Sequence, residues 1–303
     1  MKFFDPIASY NTGVIMDKSK ITRENFKHNF LMTGIIRLDY SGVIDIEDKI
    51  EDLSSDLHIK GYTEYEESYI SELSFKLSDP IKIETLRSVP IEEFVKNKSF
   101  KFVNPKNNNV IEITKFFLTL TIDYNNYVKF EDYISLFAGI SKKLQLQQHF
   151  MKPLRIGERK ISSLFITDEK IIPKYFKSPY FNTPLQISDM IDDPSELVIH
   201  NAVDTLKIED ILVNITRNIS KGLLRKKEGD KEVFRLLFDI DCYSSGDPVV
   251  NIFNEDNIEK TLTRLNNLDF DLYKKSITDE FIEKLTSTEF TLDDDIIGIR
   301  SQS

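Results

Sequence analysis

Alternation of apolar and polar positions, together with runs of β-branched and aromatic residues, divides much of the chain into strands. Residues 104–109, which read NPKNNN, are typical of a hairpin loop between two of them. The segment 208–220 also has apolar residues at helical spacing, and only its β-branched content favours a strand. We predict strands over residues 28–40, 69–77, 100–103, 110–113, 116–122, 152–166, 197–203, 208–220 and 232–243.

Apolar residues three or four positions apart predict helices among these strands. The clearest helix spans residues 129–148. Asp45, Asn254 and Thr278 are suitable N-caps for three others, because a short polar side chain accepts hydrogen bonds from the first free amides of a helix. We predict two shorter helices, over residues 90–96 and 185–191.

The order of elements repeats once along the chain. Each half reads strand, helix, several antiparallel strands and helix, and residues 152–166 (KPLRIGERKISSLFI) form the central strand at the seam. We therefore predict an internally duplicated α+β protein with its helices packed on one face of the sheet. The predicted halves are residues 1–150 and residues 151–303, the second with C-terminal helices and an acidic tail. Residues 27–148 should then superpose on residues 153–270.

The composition is that of a globular protein, and we expect it in the cytoplasm. The 303 residues are 40% hydrophobic, which is enough for a sizeable core. Cys242 is the only cysteine, so neither an internal disulfide nor a Cys-rich zinc cluster can form. We expect no signal peptide, because Asp5 interrupts the N-terminal apolar run, and no membrane span. A formal net charge of -10 disfavours nonspecific binding to nucleic acid.

Four charged residues on two strands are the main candidates for a site. Arg155 and Arg159 share one face of the central strand, and Asp239 and Asp241 share one face of a later strand, because side chains alternate. Since an unpaired buried charge is costly, we predict that the arginines and aspartates meet across the sheet. The alternative is that Asp239 and Asp241 bind a divalent cation. No third carboxylate stands at a recognisable spacing from them, so we expect no metal. Glycines are few and form no phosphate-binding loop or dinucleotide fingerprint, so we expect no cofactor.

Other chemistry-bearing residues are weaker candidates. Lys221, Arg225, Lys226 and Lys227 form a basic run that could contact nucleic acid, but the acidic residues after it favour a solvated hairpin end. The four histidines lack the spacing of zinc ligands. Cys242 alternates onto an apolar strand face, which predicts a core thiol and not a nucleophile.

Four segments together carry a resemblance to a known family. They are residues 116–130 (FFLTLTIDYNNYVKF), 155–159 (RIGER), 239–241 (DID) and 265–281, the last containing Asn266, Ser276, Thr278 and Asp279. In these segments the chain resembles a sporadically distributed family of uncharacterised bacterial proteins. Glu158 and Lys160 depart from the family, which has an apolar and an aromatic residue at these positions.

The resemblance implies a cytoplasmic α+β protein of bacteria or their mobile elements, without an established reaction, cofactor or catalytic residue. Our first hypothesis is a non-enzymatic binding or assembly protein that recognises a protein partner or another copy of itself, within a bacterial defence or mobile-element system. The rival hypothesis is a metal-dependent phosphodiesterase or nuclease-like enzyme, with a cation on Asp239 and Asp241 and phosphate on Arg155 or Arg159. The absence of catalytic motifs favours the first hypothesis.

Overall fold

The computed structural model describes residues 20–44, 46–72, 95–126, 129–177, 199–226, 229–254, 256–288 and 296–301. Its strands are β1 (His28–Asn29), β2 (Leu31–Ser41), β3 (Glu64–Glu72), β4 (Val95–Asn104), β5 (Asn109–Thr114), β6 (Phe117–Asp123), β7 (Lys152–Ile166), β8 (Ile199–Ile208), β9 (Ile211–Lys226), β10 (Gly229–Ser245), β11 (Ile296–Ile297) and β12 (Arg300–Ser301). Its α-helices are α1 (Ile46–Ile59), α2 (Phe130–Gln147), α3 (Ile172–Tyr175), α4 (Asp247–Asn254), α5 (Ile258–Ser276) and α6 (Asp279–Thr286).

One large antiparallel sheet organises the fold. Its strands follow the order β3-β4-β5-β6-β2-β7-β10-β9-β8, and β11 pairs with the end of β7. β1 and β12 form a separate two-stranded sheet. The prediction of a mixed helix and sheet protein is therefore confirmed. Residues 152–166 form an interior strand, next to β2, which is the middle strand of this order.

The two halves of the chain add their strands to this sheet in a related order. In the first half, the earliest long strand, β2, is paired by the last strand, β6. In the second half, β7 is likewise paired with the last long strand, β10. β2 and β7 pair with each other across the seam. Internal duplication of the chain stays a prediction.

The core lies on one face of the sheet because apolar residues alternate with polar ones along each strand. On β2, Ile36 and Leu38 belong to the core whereas Arg37, which points the opposite way, does not. Phe137 of α2 and Leu265 of α5 are fully buried in the same continuous core. The helices therefore pack on this core face, and we call the opposite side the outer face.

Local sequence signals explain several of the boundaries. The hydroxyl of Thr278 accepts a hydrogen bond from the amide of Phe281, which caps α6 as predicted. Residues 104–109 connect β4 and β5 as a hairpin, also as predicted. Among the described residues, no helix is long and apolar enough to cross a membrane.

Two predicted helices require correction. The predicted helix 90–96 is wrong at its end, because residues 95 and 96 begin β4, where pairing with β3 outweighs local helix propensity. The helix predicted to start at Asn254 begins at Ile258 instead. Asn254 ends a separate helix, α4, which was not predicted, and Asp256 lies between the two helices at a φ of 56°. The predicted helix 185–191 and the acidic tail lie outside the described residues.

Gly42 follows β2 at a position where a nearby carbonyl group leaves no room for a side chain. Its φ is +76°, and a Cβ added there would lie 2.0 Å from the carbonyl oxygen of Phe150. We expect Gly42→Ala to lower the free energy of unfolding by about 3 kcal/mol or more, measured by chemical denaturation.

Gly139 provides the matched control for this prediction. It lies inside α2, and a Cβ there would meet no atom within 4 Å. Gly139→Ala should stabilise the protein by about 0.5 to 1 kcal/mol, because alanine loses less backbone entropy in a helix. Equal effects of the two substitutions would contradict the structural role given to Gly42.

Candidate functional site

Six charged side chains from three neighbouring strands meet on the outer face. We call them the arginine–aspartate cluster, and they lie on β2, β7 and β10, which are adjacent in the sheet. The cluster contains all four residues predicted from the sequence and two residues of β2 that the prediction missed. Its members are Arg37, Asp39, Arg155, Arg159, Asp239 and Asp241.

The arginines of β7 each hold one aspartate of β10 by two hydrogen bonds. Arg159 donates from Nε to Oδ1 of Asp239 at 2.9 Å and from Nη2 to Oδ2 at 2.6 Å. Nη2 of Arg155 donates to both carboxylate oxygens of Asp241, at 2.7 and 2.8 Å. These distances confirm the predicted pairing across the sheet, and bonds of this charge-assisted kind are short and geometrically specific.

Gly157 makes room for the Arg155 side chain, which extends further along the sheet than that of Arg159 to meet its aspartate. In the strand register Arg155 lies opposite Ser245 and Gly157 lies opposite Tyr243, so the Arg155 side chain must pass Gly157 to reach Asp241. A Cβ at Gly157 would lie 3.4 Å from Nη2 of Arg155 and 2.8 Å from Cβ of Tyr243. The glycine that interrupts this strand in sequence therefore lets the guanidinium lie across the sheet, 4.3 Å above the Tyr243 ring.

The β2 residues complete the cluster. Arg37 donates from Nε to Oδ1 of Asp39 at 2.7 Å, and its guanidinium lies 4.3 Å above the ring of Phe117. Oδ2 of Asp39 lies 3.5 Å from Nη1 of Arg155, which links β2 to β7 across the seam. All cluster residues except Asp239 line a cavity of about 310 Å³, together with Ile35 and Gly157.

Burial differs sharply within the cluster. Arg159 keeps 46% of its side chain exposed whereas Asp239 keeps 7%. Burial raises the pKa of Asp241, although the charges of Arg155 and Arg159 act in the opposite direction. Hydrogen bonding to Asp239 raises the pKa of Arg159. The described residues hold no group of three or more His, Cys, Asp and Glu placed to bind a metal ion.

A second charged group lies on the core face of the same strand. We call it the buried charge cluster, and it consists of Glu158 and Lys160 of β7 with Asn266 and Asp269 of α5. Nζ of Lys160 donates to Oδ1 of Asn266 at 2.5 Å and to Oδ2 of Asp269 at 2.8 Å. It also lies 2.7 Å from Oε1 of Glu158, with which it forms an ion pair.

The environment of the buried charge cluster shifts the pKa values of two of its members. Burial raises the pKa of Glu158 to about 7. The positive charge of Lys160 lowers this pKa, and the negative charge of Asp269 raises it further. Burial lowers the pKa of Lys160, but the nearby carboxylates of Asp269 and Glu158 outweigh it and the net shift is upward. Glu158 and Lys160 therefore neutralise each other in part.

Sequence reasoning missed this cluster, although one signal for it exists. Glu158 and Lys160 occupy the alternating positions that are apolar elsewhere in β7, such as Ile156 and Leu164. Asp269 lies seven residues after Leu262, on the buried stripe of α5. A charged residue on an otherwise apolar helix stripe or strand face indicates that another polar or charged residue pairs with it, because a charge is costly to bury alone.

The remaining predicted residues lie elsewhere. The basic run of Lys221, Arg225 and Lys226 ends β9, as predicted for a hairpin end, and Nζ of Lys221 lies 3.2 Å from Oε2 of Glu232. Lys227 lies outside the described residues. Cys242 is fully buried, which confirms the predicted core thiol, and burial raises its pKa.

No protein-family model matches this chain. No curated protein and no solved structure matches it either. The family resemblance of the four segments therefore stays a prediction, and a functional role for either charged cluster rests on its own geometry.

The Arg159 and Asp239 pair should respond unequally to loss of either partner. Arg159→Met keeps the apolar stem but leaves the buried Asp239 carboxylate without its two donors, so we expect a loss of about 2 kcal/mol of unfolding free energy. Asp239→Asn should cost only about 0.5 to 1 kcal/mol, because the half-exposed guanidinium remains hydrated. Urea denaturation of both variants measures the difference.

Arg264 provides the control for the pair. Its exposed guanidinium contacts Glu209 and Asp210 on the surface. Arg264→Met should change stability by less than about 1 kcal/mol. If Asp239→Asn destabilised the protein more than Arg159→Met, burial would not be the source of the asymmetry.

Glu158 should make stability depend on pH. The pKa of Glu158 is about 7 in the folded protein, against the ordinary value of 4.5 that applies to the unfolded chain. As the pH rises, the unfolded chain therefore loses this proton at a lower pH than the folded protein does. The contribution of Glu158 is therefore fully present below about pH 4.5 and is lost by about pH 7. Denaturant titrations at several pH values should show that Glu158→Gln flattens the decline of unfolding free energy over this window.

The pKa of Glu158 depends on the charged and titratable groups around it, so the control variant must lie away from them. They are Lys160 on the same strand, Asp269 on α5, Cys242 on β10 and the more distant Arg23. Glu283→Gln on the exposed side of α6 is the matched control and should keep the wild-type slope. Identical slopes for wild type and Glu158→Gln would refute the assignment.

Proposed function

We propose that this chain is a binding protein that recognises a protein partner on the outer face of its sheet, with the arginine–aspartate cluster at the centre of the contact. The setting of a bacterial defence or mobile-element system in the cytoplasm is part of the proposal and rests on the family resemblance alone.

The observation that carries the proposal is the display of two exposed guanidinium groups beside the 310 Å³ cavity. Arg37 and Arg159 keep 40% and 46% of their side chains exposed. Each is held in place by an aspartate of the same sheet, so little side-chain entropy is lost when a partner binds. Arginine displayed in this way suits recognition of carboxylate groups. We therefore propose that the partner presents acidic side chains to this face.

The enzyme hypothesis receives less support from the same geometry. Asp239 and Asp241 each already accept two hydrogen bonds from an arginine. A cation bound to these carboxylates would have to displace both arginines. Nucleic-acid binding through the basic run is also less favoured. Arg225 faces Asp230 in the strand register, and Lys221 pairs with Glu232.

We also propose that the two halves arose by internal duplication. The strand orders β2-β6-β5-β4 and β7-β10-β9-β8 support it. Each begins at the seam with the first long strand of its half, continues with the last long strand and then runs backward along the chain. β3 extends the first half by one further strand.

The proposed function predicts that partner binding needs the exposed arginines. A protein captured with the tagged full chain from its source cells would be purified and its Kd measured by calorimetry. Replacing both Arg37 and Arg159 by glutamine should weaken binding by about tenfold or more and reduce its salt dependence. Sedimentation velocity of the chain alone tests whether the partner is a second copy.

Lys142→Gln is the matched control, because Lys142 is an exposed cation on α2, on the helix side of the sheet. Its Kd should stay within about twofold of wild type. Unchanged binding by the double arginine variant, or equal weakening by Lys142→Gln, would overturn the proposal. A chain that captures no protein and sediments as a monomer would do so as well.

A further inference from the structure

The cavity on the outer face is arranged around Gly157. On β7, Arg155 and Arg159 lie two residues to either side of this glycine, and Arg37 of β2 lies directly opposite it. All three arginines line the cavity of about 310 Å³. The lining is completed by Gly157, Ile35, Asp39 and Asp241. The volume is at the lower end of the range of small-molecule sites, so the cavity can hold one whole functional group of a partner.

The charges of this lining do not cancel where a ligand can reach them. The lining carries three guanidinium groups and two carboxylates, those of Asp39 and Asp241. Asp239 would balance the sum, but it lies outside the lining and is nearly buried. The two lining carboxylates keep 24% and 20% of their side chains exposed, less than Arg37 and Arg159 do. A ligand entering from solvent therefore meets mainly guanidinium groups, which attract an anion.

The two most exposed arginines also keep hydrogen-bond donors for a ligand. Arg37 uses only Nε, which donates to Asp39. Arg159 uses Nε and Nη2, which both donate to Asp239. Within the part of the chain that the structure describes, neither terminal nitrogen of Arg37 donates a hydrogen bond, and nor does Nη1 of Arg159. Each of these nitrogens can donate to an acceptor oxygen of a bound anion.

A phosphoryl group uses these donors better than a carboxylate does. One arginine already satisfies both oxygens of a carboxylate, as Arg159 does for Asp239. A phosphoryl group has three strong acceptor oxygens and a charge of about -1.5 to -2 at neutral pH. It can therefore accept from more than one arginine, and its larger charge gains more from the excess guanidinium of the lining. Arginine clusters are a recurring means of recognising phosphorylated side chains.

We propose that the acidic group recognised by the outer face is a phosphorylated side chain of the protein partner, whose phosphoryl oxygens accept hydrogen bonds from Arg37 and Arg159 in this cavity. The partner as the source of the phosphoryl group rests on the proposed function. Asp39 and Asp239 hold the two guanidinium groups in place.

Calorimetric titration of the full chain with phosphoserine, acetylated and amidated at its ends, tests the chemistry, and glutamate blocked in the same way is the carboxylate probe. We expect one saturable site for blocked phosphoserine and at least about tenfold weaker binding of blocked glutamate. Replacing both Arg37 and Arg159 by glutamine should weaken phosphoserine binding by about tenfold or more.

Arg264→Gln is the matched control for the double arginine variant. Arg264 keeps 45% of its side chain exposed and pairs with carboxylates as Arg159 does, but it does not line the cavity. Its variant should bind blocked phosphoserine within about twofold of wild type. Equal weakening by Arg264→Gln would overturn the proposal, because any exposed arginine would then serve.

A second variant keeps the test decisive if the double arginine variant fails to fold, as judged by circular dichroism. Ile35→Trp keeps every charge and fills the cavity from β2, so it should abolish phosphoserine binding. Retained binding by a folded Ile35→Trp or a folded double arginine variant would overturn the proposal. So would equal affinity for the two probes, or no saturable phosphoserine binding to wild type up to about 10 mM.

Phosphatase treatment of the captured partner tests the source of the phosphoryl group. Its Kd for the full chain should become about tenfold weaker or more once the phosphoryl groups are removed. An unchanged Kd that still depends on Arg37 and Arg159 would overturn this inference and leave the proposed function standing. A chain that captures no protein yet binds blocked phosphoserine would overturn the proposed function, and with it the partner as the source.

Discussion

The centre of this protein depends on how β7 compensates its charged side chains. The strand is hydrogen bonded to β2 on one side and to β10 on the other, so its backbone polar groups are satisfied. Its side chains are not satisfied by the backbone, because Arg155 and Arg159 lie on the outer face while Glu158 and Lys160 lie on the core face. Each charge removed from water needs a partner. β10 and β2 supply partners on one face, and α5 supplies them on the other.

This constraint fixes the register of the sheet. A shift of β7 by one residue would exchange its two faces, which would place the arginines against the core and Glu158 on the outer face. The aspartates of β10 and the polar side chains of α5 would then face the wrong residues. The same alternation gives the two faces of one strand different surroundings: paired arginines and aspartates on the outer face, and a cavity with several aromatic side chains in its lining on the core face.

Local sequence patterns predicted most of the strands and the long helices because their periodicities are strong. The outer-face pairing followed from alternation and from the cost of burying charge, without knowledge of strand order. The end of predicted helix 90–96 was wrong because edge pairing, and not local propensity, determines residues 95 and 96. Asp39 and Arg37 were missed, since nothing in the sequence states that β2 is the neighbour of β7.

By itself, the sequence determined which side chains share a face, because that depends only on the two-residue period of a strand and the helical repeat. It therefore placed Arg155 with Arg159 and Asp239 with Asp241. Only the tertiary structure decided which strands are adjacent, and so that Asp39 joins this group. It also decided that Asp269, more than a hundred residues along the chain from Lys160, balances its charge. Such contacts depend on packing between distant segments, which no local pattern encodes.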